Sequence, residues 1–247
     1  MANWNPWHGC TRYSEGCANC YVYRIDEQHG RSAAVVQKTA AFGAPIARDR
    51  AGAYRMKGPD TVYTCFSSDF FHEAADGWRP EAWAIMRERH DLHFFFITKR
   101  IERFYECIPA DWGAGYPNVT IACTVENSRR AAERLPIYTA APLRERIVIC
   151  EPLLTYIDLS PALATGAVDR VSVGGESGPG ARVCDFDWVL AMRDTCVQFG
   201  VPFTFRQTGA RLRKDGRLYS IPRARQAEQA RRAGIDYAGC PQDDAGL

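Results

Sequence analysis

Six short apolar segments recur along the chain, and they constrain its fold more than any other feature. Each is rich in valine, isoleucine, phenylalanine or threonine and lacks strict polar alternation, which is typical of parallel strands covered on both faces. Their spacing is close to that of successive βα units, about 30 residues. The predicted strands are residues 61–67, 93–98, 119–125, 146–150, 170–174 and 201–207.

Helical patterns fill the gaps between these segments. One begins at Asn127, a favourable N-cap residue, and another stops at Gly200. The alternation predicts an α/β fold, either an open doubly wound sheet or a barrel. Residues 30–60 are weakly patterned and suggest a further helix followed by an irregular excursion. The other predicted helices are residues 21–28, 80–90, 100–107, 127–135, 187–199 and 223–232.

The composition is that of an ordinary globular protein, with 46% hydrophobic and 24% charged residues among 247. It excludes disordered and collagen-like chains. No run of about 18 apolar residues occurs, and the N-terminus lacks the pattern of a secretory signal. We therefore expect no membrane partner and a cytoplasmic location. In that compartment ten cysteines are unexpected as a disulfide framework, so metal ligation or plain burial is the better interpretation.

Cys10, Cys17 and Cys20 form the strongest chemical pattern, spaced C-x6-C-x2-C. Three thiolates this close can hold one soft centre, either zinc or an iron–sulfur cluster. A structural zinc normally has four ligands, and the fourth would be His8 or a distant cysteine. Without a fourth protein ligand the centre keeps an open position, as in a [4Fe–4S] cluster with one unligated iron. Tyr21 follows directly and either packs on the centre or opens a helix.

Polar side chains follow all six predicted strands. Ligands of parallel α/β proteins lie at the carboxyl ends of the strands, so these residues predict a binding pocket. For a single acid such as Glu151, a structural salt bridge remains an equal alternative. The candidates for the pocket are Ser67, Asp69, Lys99, Glu126, Glu151, Glu176 and Arg206.

A glycine-rich loop, residues 174–180, follows the fifth strand. It has neither the G-x-G-x-x-G order of a dinucleotide site nor the ending of a P-loop. Gly174 and Gly175 would let a ligand approach the backbone closely, and Glu176 would accept a hydrogen bond from an ammonium or amide. The alternative is a plain turn at Pro179.

The C-terminal part is strongly basic, with only Asp215 and Glu228 opposing nine cations between residues 206 and 232. Residues 214–217 predict a hairpin turn. The charge indicates either a solvated face or a surface that contacts phosphate. We therefore predict a main domain, residues 1–209, and a basic extension, residues 210–247. The nine cations are Arg206, Arg211, Arg213, Lys214, Arg217, Arg223, Arg225, Arg231 and Arg232.

A series of short motifs resembles, in order, a phage-encoded and bacterial family of uncharacterised proteins that opens with W-N-P-W-x-G-C. The resemblance covers residues 4–209, most of the chain. The matching motifs are W-N-P-W-H-G-C at 4–10, S-E-G-C-A-N-C-Y at 14–21, D-F-F-H at 69–72, T-K-R at 98–100, T-V-E-N at 124–127, E-P-L-L at 151–154, G-G-E-S-G-P-G-A-R at 174–182 and R-Q-T-G at 206–209.

That family is in turn similar to radical S-adenosylmethionine (SAM) enzymes. The similarity implies a partial (β/α)6 TIM-like barrel, a [4Fe–4S] cluster on Cys10, Cys17 and Cys20, SAM on the fourth iron, and an external electron donor. Lys99 or Arg206 would then pair with the SAM carboxylate and an acidic residue with its ammonium. The cysteine spacing departs from the C-x3-C-x2-C of most such enzymes. The Gly-Gly-Glu sequence follows the fifth strand rather than the second, so its role is not carried over.

The resemblance also implies a reaction in which a 5′-deoxyadenosyl radical abstracts a hydrogen from the substrate. Phage relatives and the basic extension suggest a thymine-derived base in DNA, flipped out of its stack, in a host cytoplasm; a small molecule or peptide remains open. Two other functions also remain open. One is a non-radical metal-dependent nucleic-acid enzyme of nuclease or repair type, with its carboxylates on magnesium. The other is a DNA-binding module with a structural zinc site.

Overall fold

A computed structural model describes residues 2–239 of the chain. The chain divides into two compact units. The N-terminal unit comprises Met1–Cys123 and Ala140–Glu145, and the C-terminal unit comprises Thr124–Thr139 and Arg146–Leu247. The predicted division into a main domain, residues 1–209, and a basic extension, residues 210–247, stays a prediction. The two compact units divide the chain at other positions, and residues 210–239 belong to the C-terminal unit.

Parallel strands form the centre of the N-terminal unit. Strands β1, β4, β5 and β6 lie side by side in that order, with Phe94 of β5 opposite Val119 of β6. Strands β2 and β3 pair separately and antiparallel. The elements are β1 (Ala2–Trp4), β2 (Trp7–His8), α1 (Tyr21–Gln28), β3 (Gln37–Lys38), β4 (Thr61–Thr64), α2 (Arg79–Glu88), β5 (His93–Thr98), α3 (Phe104–Cys107) and β6 (Val119–Thr124).

The C-terminal unit repeats the strand–helix alternation. Strands β7, β8 and β10 are parallel neighbours. A second sheet joins β9 to a hairpin of β11 and β12. The elements are α4 (Ser128–Ala140), β7 (Ile147–Cys150), α5 (Ser160–Leu163), β8 (Arg170–Gly174), β9 (Cys184–Asp185), α6 (Phe186–Gln198), β10 (Phe203–Gln207), β11 (Arg211–Lys214), β12 (Arg217–Ser220) and α7 (Arg223–Arg232).

Aromatic rings fill the core of the N-terminal unit. Phe70 stacks on Phe96 with 4.4 Å between ring centroids, and Trp83 lies 4.8 Å from Phe70. All three are buried, and each such burial contributes about 1.5 to 3 kcal/mol. Asp69 directly precedes Phe70, so this core fixes the backbone at the start of the candidate site.

The predicted α/β fold with parallel strands is confirmed. Strands β5 and β8 have the predicted bounds, and the hairpin and α7 lie where the sequence places them. Strand β4 ends at Thr64 rather than residue 67, since Cys65 adopts a left-handed backbone with φ of 57°. The helix expected within residues 30–60 is wrong: this fully described segment contains only β3 and a 3-10 turn at Ala44–Ile46. Glycines at 30, 43, 52 and 58 and prolines at 45 and 59 interrupt the segment and disfavour a helix there.

None of the helices within residues 2–239 is long and apolar enough to cross a membrane.

Candidate functional site

The cysteine loop connects β2 to α1 and is anchored at its start. Gly9 has φ of 93°, and a side chain there would place Cβ 2.2 Å from the carbonyl oxygen of Val35. Its amide donates to the Ser67 carbonyl at 3.1 Å, and the Cys10 amide donates to the Ala33 carbonyl at 2.6 Å. Only glycine fits this close approach, so the Gly9-Cys10 pair sets where the first thiol lies.

The three cysteines of the motif differ from the other described cysteines in exposure. Cys10, Cys17 and Cys20 are free and half-buried. The others are buried, as predicted for small hydrophobic residues: Cys65, Cys107, Cys123, Cys150, Cys184 and Cys196. Cys240 lies outside the described residues.

Tyr23 of α1 lies among the three thiols. The pKa of its hydroxyl is raised, first by burial and then by the charges of Cys10, Cys17 and Cys20, with Arg12 opposing. The Tyr23 hydroxyl donates to the Cys10 carbonyl. Across the part of the chain that the structure describes, no three His, Cys, Asp or Glu side chains are already arranged to hold a metal ion.

Arg100 reaches the cysteine loop from the end of β5. Its Nη1 lies 3.6 Å from the Cys10 Sγ, and its Nη2 donates to the carbonyl and hydroxyl of Thr11 at 3.1 and 2.9 Å. The side chain is 3% exposed. A buried guanidinium beside a thiol favours the thiolate electrostatically.

Asp69 ties the turn after β4 to the end of β5. Its carboxylate accepts from the Thr98 hydroxyl at 2.8 Å and from the amides of Phe71 and Lys99 at 3.0 and 2.9 Å. The Arg100 Nη1 lies 3.6 Å from its Oδ2. Burial, and then the Asp69 charge, raise the pKa of Cys10 to about 12, and Arg100 acts in the opposite direction. The unligated Cys10 is therefore held as a thiol.

Both histidines near the loop are committed to other partners. His8, the candidate fourth ligand, places Nε2 2.6 Å from the Asp26 carboxylate. His72 accepts from the Ala74 amide at Nδ1, at 3.1 Å, and its Nε2 lies 3.0 Å from the Thr11 hydroxyl, to which it can donate. Burial, and next the Arg100 charge, lower the pKa of His72, which keeps its ring neutral.

The other candidates in the N-terminal unit are Tyr21, Ser67 and Lys99. Tyr21 is exposed and its hydroxyl donates to the Phe66 carbonyl. The Ser67 amide donates to the Asn5 side chain at 3.1 Å. Lys99 is half-buried, and within residues 2–239 its ammonium has no ion-pair partner.

A second group lies at the strand ends of the C-terminal unit. Glu151 accepts a hydrogen bond from Gln207, and the Nε of Arg206 lies 3.9 Å from its carboxylate. A Cβ on Gly174 would come within 2.8 Å of Glu151 Cδ. The Gly175 amide donates to the Gln207 carbonyl at 3.0 Å. The ends of β7, β8 and β10 thus meet around one half-buried carboxylate.

Glu126 and Glu176 have partners within the fold. Glu126 is fully buried, and the Nη1 of Arg134 lies 2.7 Å from it. Glu176 accepts from both the amide and the Nε of Arg182 at 2.9 Å. Their charges are neutralised, and each pair anchors the segment that follows a strand.

Three residues that the sequence reasoning missed belong to these groups: Arg100, His72 and Gln207. Each lies in one of the short motifs, but periodicity does not reveal which side chain of a strand end turns inward. In the T-K-R motif at residues 98–100, the backbone amide of Lys99 donates to Asp69, and the Arg100 side chain turns to Cys10.

No curated protein and no solved structure matches this chain. A family model does match it, over residues 1–243, and its description is "Protein of unknown function (DUF5131)". Since this match covers nearly the whole chain, the protein belongs to the DUF5131 family.

Proposed function

We propose that this protein is an iron–sulfur enzyme of the radical SAM type. The observation that carries the proposal is the set of three half-buried thiols in one loop, with His8 and His72 engaged elsewhere. Three soft ligands, with no fourth identified within residues 2–239, suit a [4Fe–4S] cluster that keeps one iron open. They suit structural zinc less well, because that ion prefers a closed shell of four.

The proposed roles follow from what each side chain touches. Cys10, Cys17 and Cys20 would hold the cluster, which when bound supplies the electron that cleaves SAM to a 5′-deoxyadenosyl radical. Arg100 offsets the negative charge of the thiolates, and Asp69 fixes the segment from which it projects. Lys99 has a charge without a partner among the described residues, which suits the carboxylate of SAM.

The C-terminal unit carries further candidate ligands. Glu151 is half-buried and accepts from Gln207, so it can receive an ammonium group without first breaking a buried ion pair. Gly174 and Gly175 lie beside it and are buried, because Glu151 and the Thr208 backbone occupy the space that side chains there would need. We include in this proposal the finer fold, a partial (β/α)6 TIM-like barrel with the ligand at the carboxyl ends of its strands.

A magnesium-dependent nuclease has less support. Such an enzyme needs carboxylates that are free to bind the ion. Glu126 is paired with Arg134, Glu176 with Arg182, and the Asp69 carboxylate accepts three hydrogen bonds beside Arg100. These arginines would compete directly with a cation.

The substrate in this proposal is a base in DNA, because residues 206–232 present their basic side chains to solvent. All nine cations of residues 206–232 are solvent-exposed. A phosphate backbone is the natural partner of such a surface. The proposal also includes an external electron donor and a cytoplasmic location, where thiols stay reduced.

The proposal is tested by the metal and sulfide content of protein purified without oxygen. We expect about four irons and four sulfides per chain, and a large loss of both in Cys17→Ser. Cys196→Ala is the matched control, since Cys196 is buried in α6, and it should keep the wild-type content. Stoichiometric zinc without sulfide, or unchanged iron in Cys17→Ser, would contradict the proposal.

A further inference from the structure

A cleft of about 460 Å³ lies in the C-terminal unit and is lined mainly by residues of the basic extension. The β11–β12 hairpin, α7 and the start of α6 form its walls. Its volume falls within the range of small-ligand sites, roughly 300 to 1,000 Å³. The lining residues that matter here are Phe186, Leu212, Lys214, Tyr219, Arg225 and Arg232.

The cleft carries positive charge that the described chain does not neutralise. Lys214 and Arg225 have no ion-pair partner within residues 2–239. Arg232 is paired with Glu228 at 2.7 Å. No acidic residue lines the cleft within the described chain. Two uncompensated cations in one concave site favour an anion.

Aromatic and apolar side chains lie beside these cations. Tyr219 of β12 is 43% exposed, and the apolar Leu212 of β11 lines the same cleft. The Lys214 Nζ lies 5.1 Å from the centroid of the Phe186 ring. An exposed aromatic ring next to cations is the arrangement with which proteins hold unpaired bases by stacking.

We propose that this cleft binds one nucleotide of a single-stranded nucleic acid. Lys214 and Arg225 contact its phosphate, and Tyr219 stacks on its base. A paired base in a duplex has no free face for that stacking, so the cleft selects unpaired strands. The view that the strand is a substrate rests on the proposed function, whereas the binding itself requires no cluster.

The test is fluorescence anisotropy of a fluorescein-labelled 12-nucleotide DNA strand with the full-length protein. Lys214→Gln with Arg225→Gln should weaken binding at least 10-fold and make the salt dependence shallower by roughly 0.7 for each phosphate that is no longer neutralised. Arg217→Gln with Arg231→Gln removes the same charge from side chains that do not line the cleft, and should weaken binding less than about 3-fold, since it removes general attraction but no contact with the nucleotide. All four side chains are exposed, so folding should be preserved, which circular dichroism checks.

The aromatic contact is tested separately. Tyr219→Ala should weaken binding at least 5-fold, because base stacking contributes about 1 to 3 kcal/mol. Tyr219→Phe keeps the ring and should bind as the wild type does. Thymidine monophosphate in excess should displace the strand better than inorganic phosphate. Only the nucleotide can contact Lys214 and Arg225 with its phosphate and also stack its base on Tyr219.

Three outcomes would overturn this inference: equal weakening by both double variants, a duplex bound as tightly as the single strand, or displacement by phosphate and nucleotide alike. The triple variant Cys10→Ser, Cys17→Ser, Cys20→Ser separates this inference from the proposed function. It should bind the strand with wild-type affinity while lacking iron. Its iron content and the iron content of the wild type report on the cluster alone.

Discussion

Arg100 places its Nη1 3.6 Å from the Sγ of Cys10, although ninety residues separate the two along the chain. The same guanidinium holds Thr11, and its Nη1 lies 3.6 Å from the Asp69 carboxylate. Through this one side chain, the end of β5, the turn after β4 and the cysteine loop form a single connected group. The position of the first thiol therefore depends on residues far from it in sequence.

Replacing Arg100 should destabilise the protein strongly. Arg100→Gln leaves the buried Asp69 carboxylate without its cation, and we expect a loss of about 3 kcal/mol in the free energy of unfolding. Arg100→Lys should recover only part of it, since an ammonium cannot reach Thr11 and Cys10 together. Urea denaturation measures the free energy of unfolding of both Arg100 variants. Arg12→Gln, an exposed arginine 4.2 Å from the Tyr23 ring, should change stability by less than about 1 kcal/mol. Equal stability of Arg100→Gln and wild type would refute this account of Arg100.

Glu126 and Glu151 should respond differently to the same substitution. Glu126→Gln breaks a fully buried pair with Arg134 and should lower the free energy of unfolding by about 3 to 5 kcal/mol. Glu151→Gln changes a half-buried group and should lower it by less than about 1 kcal/mol. Thermal and urea unfolding of the two variants measure the two losses in the free energy of unfolding. Similar losses would mean that Glu151, too, is mainly a structural residue.

The adjacent glycines after β8 should differ in their tolerance of a methyl group. A Cβ on Gly175 would lie 2.3 Å from the Thr208 carbonyl oxygen, which can move away only if the backbone itself shifts. Gly175→Ala should therefore cost about 3 kcal/mol. Gly174→Ala meets the Glu151 side chain, which can move, and should cost about 1 kcal/mol. Gly77→Ala is the control, because nothing lies within 4 Å of its added Cβ. Wild-type stability of Gly175→Ala would show that the loop adjusts freely.

Asp76 should make stability depend on pH. Burial raises its pKa, but hydrogen bonds from Arg103 and Arg79 outweigh this and hold the pKa below 3.8. A carboxyl whose pKa is lower in the folded state than in the unfolded state stabilises the protein at pH values above its unfolded-state pKa. This stabilisation disappears as the pH falls through the folded-state pKa. Asp76→Asn should thus cost about 1 kcal/mol at pH 7, since the carboxylate is half exposed, and almost nothing at pH 2. Unfolding curves at both pH values measure this, and an equal loss at both would contradict it.

Much of the fold was predictable because its strands carry strong local patterns. In β5 the uninterrupted apolar run of residues 94–97 lies between His93 and Thr98, so its bounds follow from the sequence alone. The turn at Asp215 and Gly216 adopts positive φ values of 51° and 70°, as the residue types suggest. Two-residue strands such as β2, β3 and β9 have no period to detect. They form because distant segments meet.

The candidate site was less predictable for a physical reason. Sequence places acids and bases at strand ends, but it does not show which ones pair with each other. Glu126 and Glu151 look alike in sequence, yet one is buried against Arg134 and the other faces Gln207. The sequence does not distinguish Arg100 from its neighbour Lys99. The hydrogen bond from the Lys99 amide to Asp69 sets the backbone so that Arg100, rather than Lys99, turns toward the cysteines.

The central claim is that the three cysteines hold a cluster with an iron open to SAM. The most direct measurement is the electron paramagnetic resonance spectrum of the anaerobic, dithionite-reduced protein with and without SAM. We predict a [4Fe–4S] signal that changes when SAM is added, and that is absent from the triple variant Cys10→Ser, Cys17→Ser, Cys20→Ser. A cluster signal indifferent to SAM, or no cluster at all, would contradict the account.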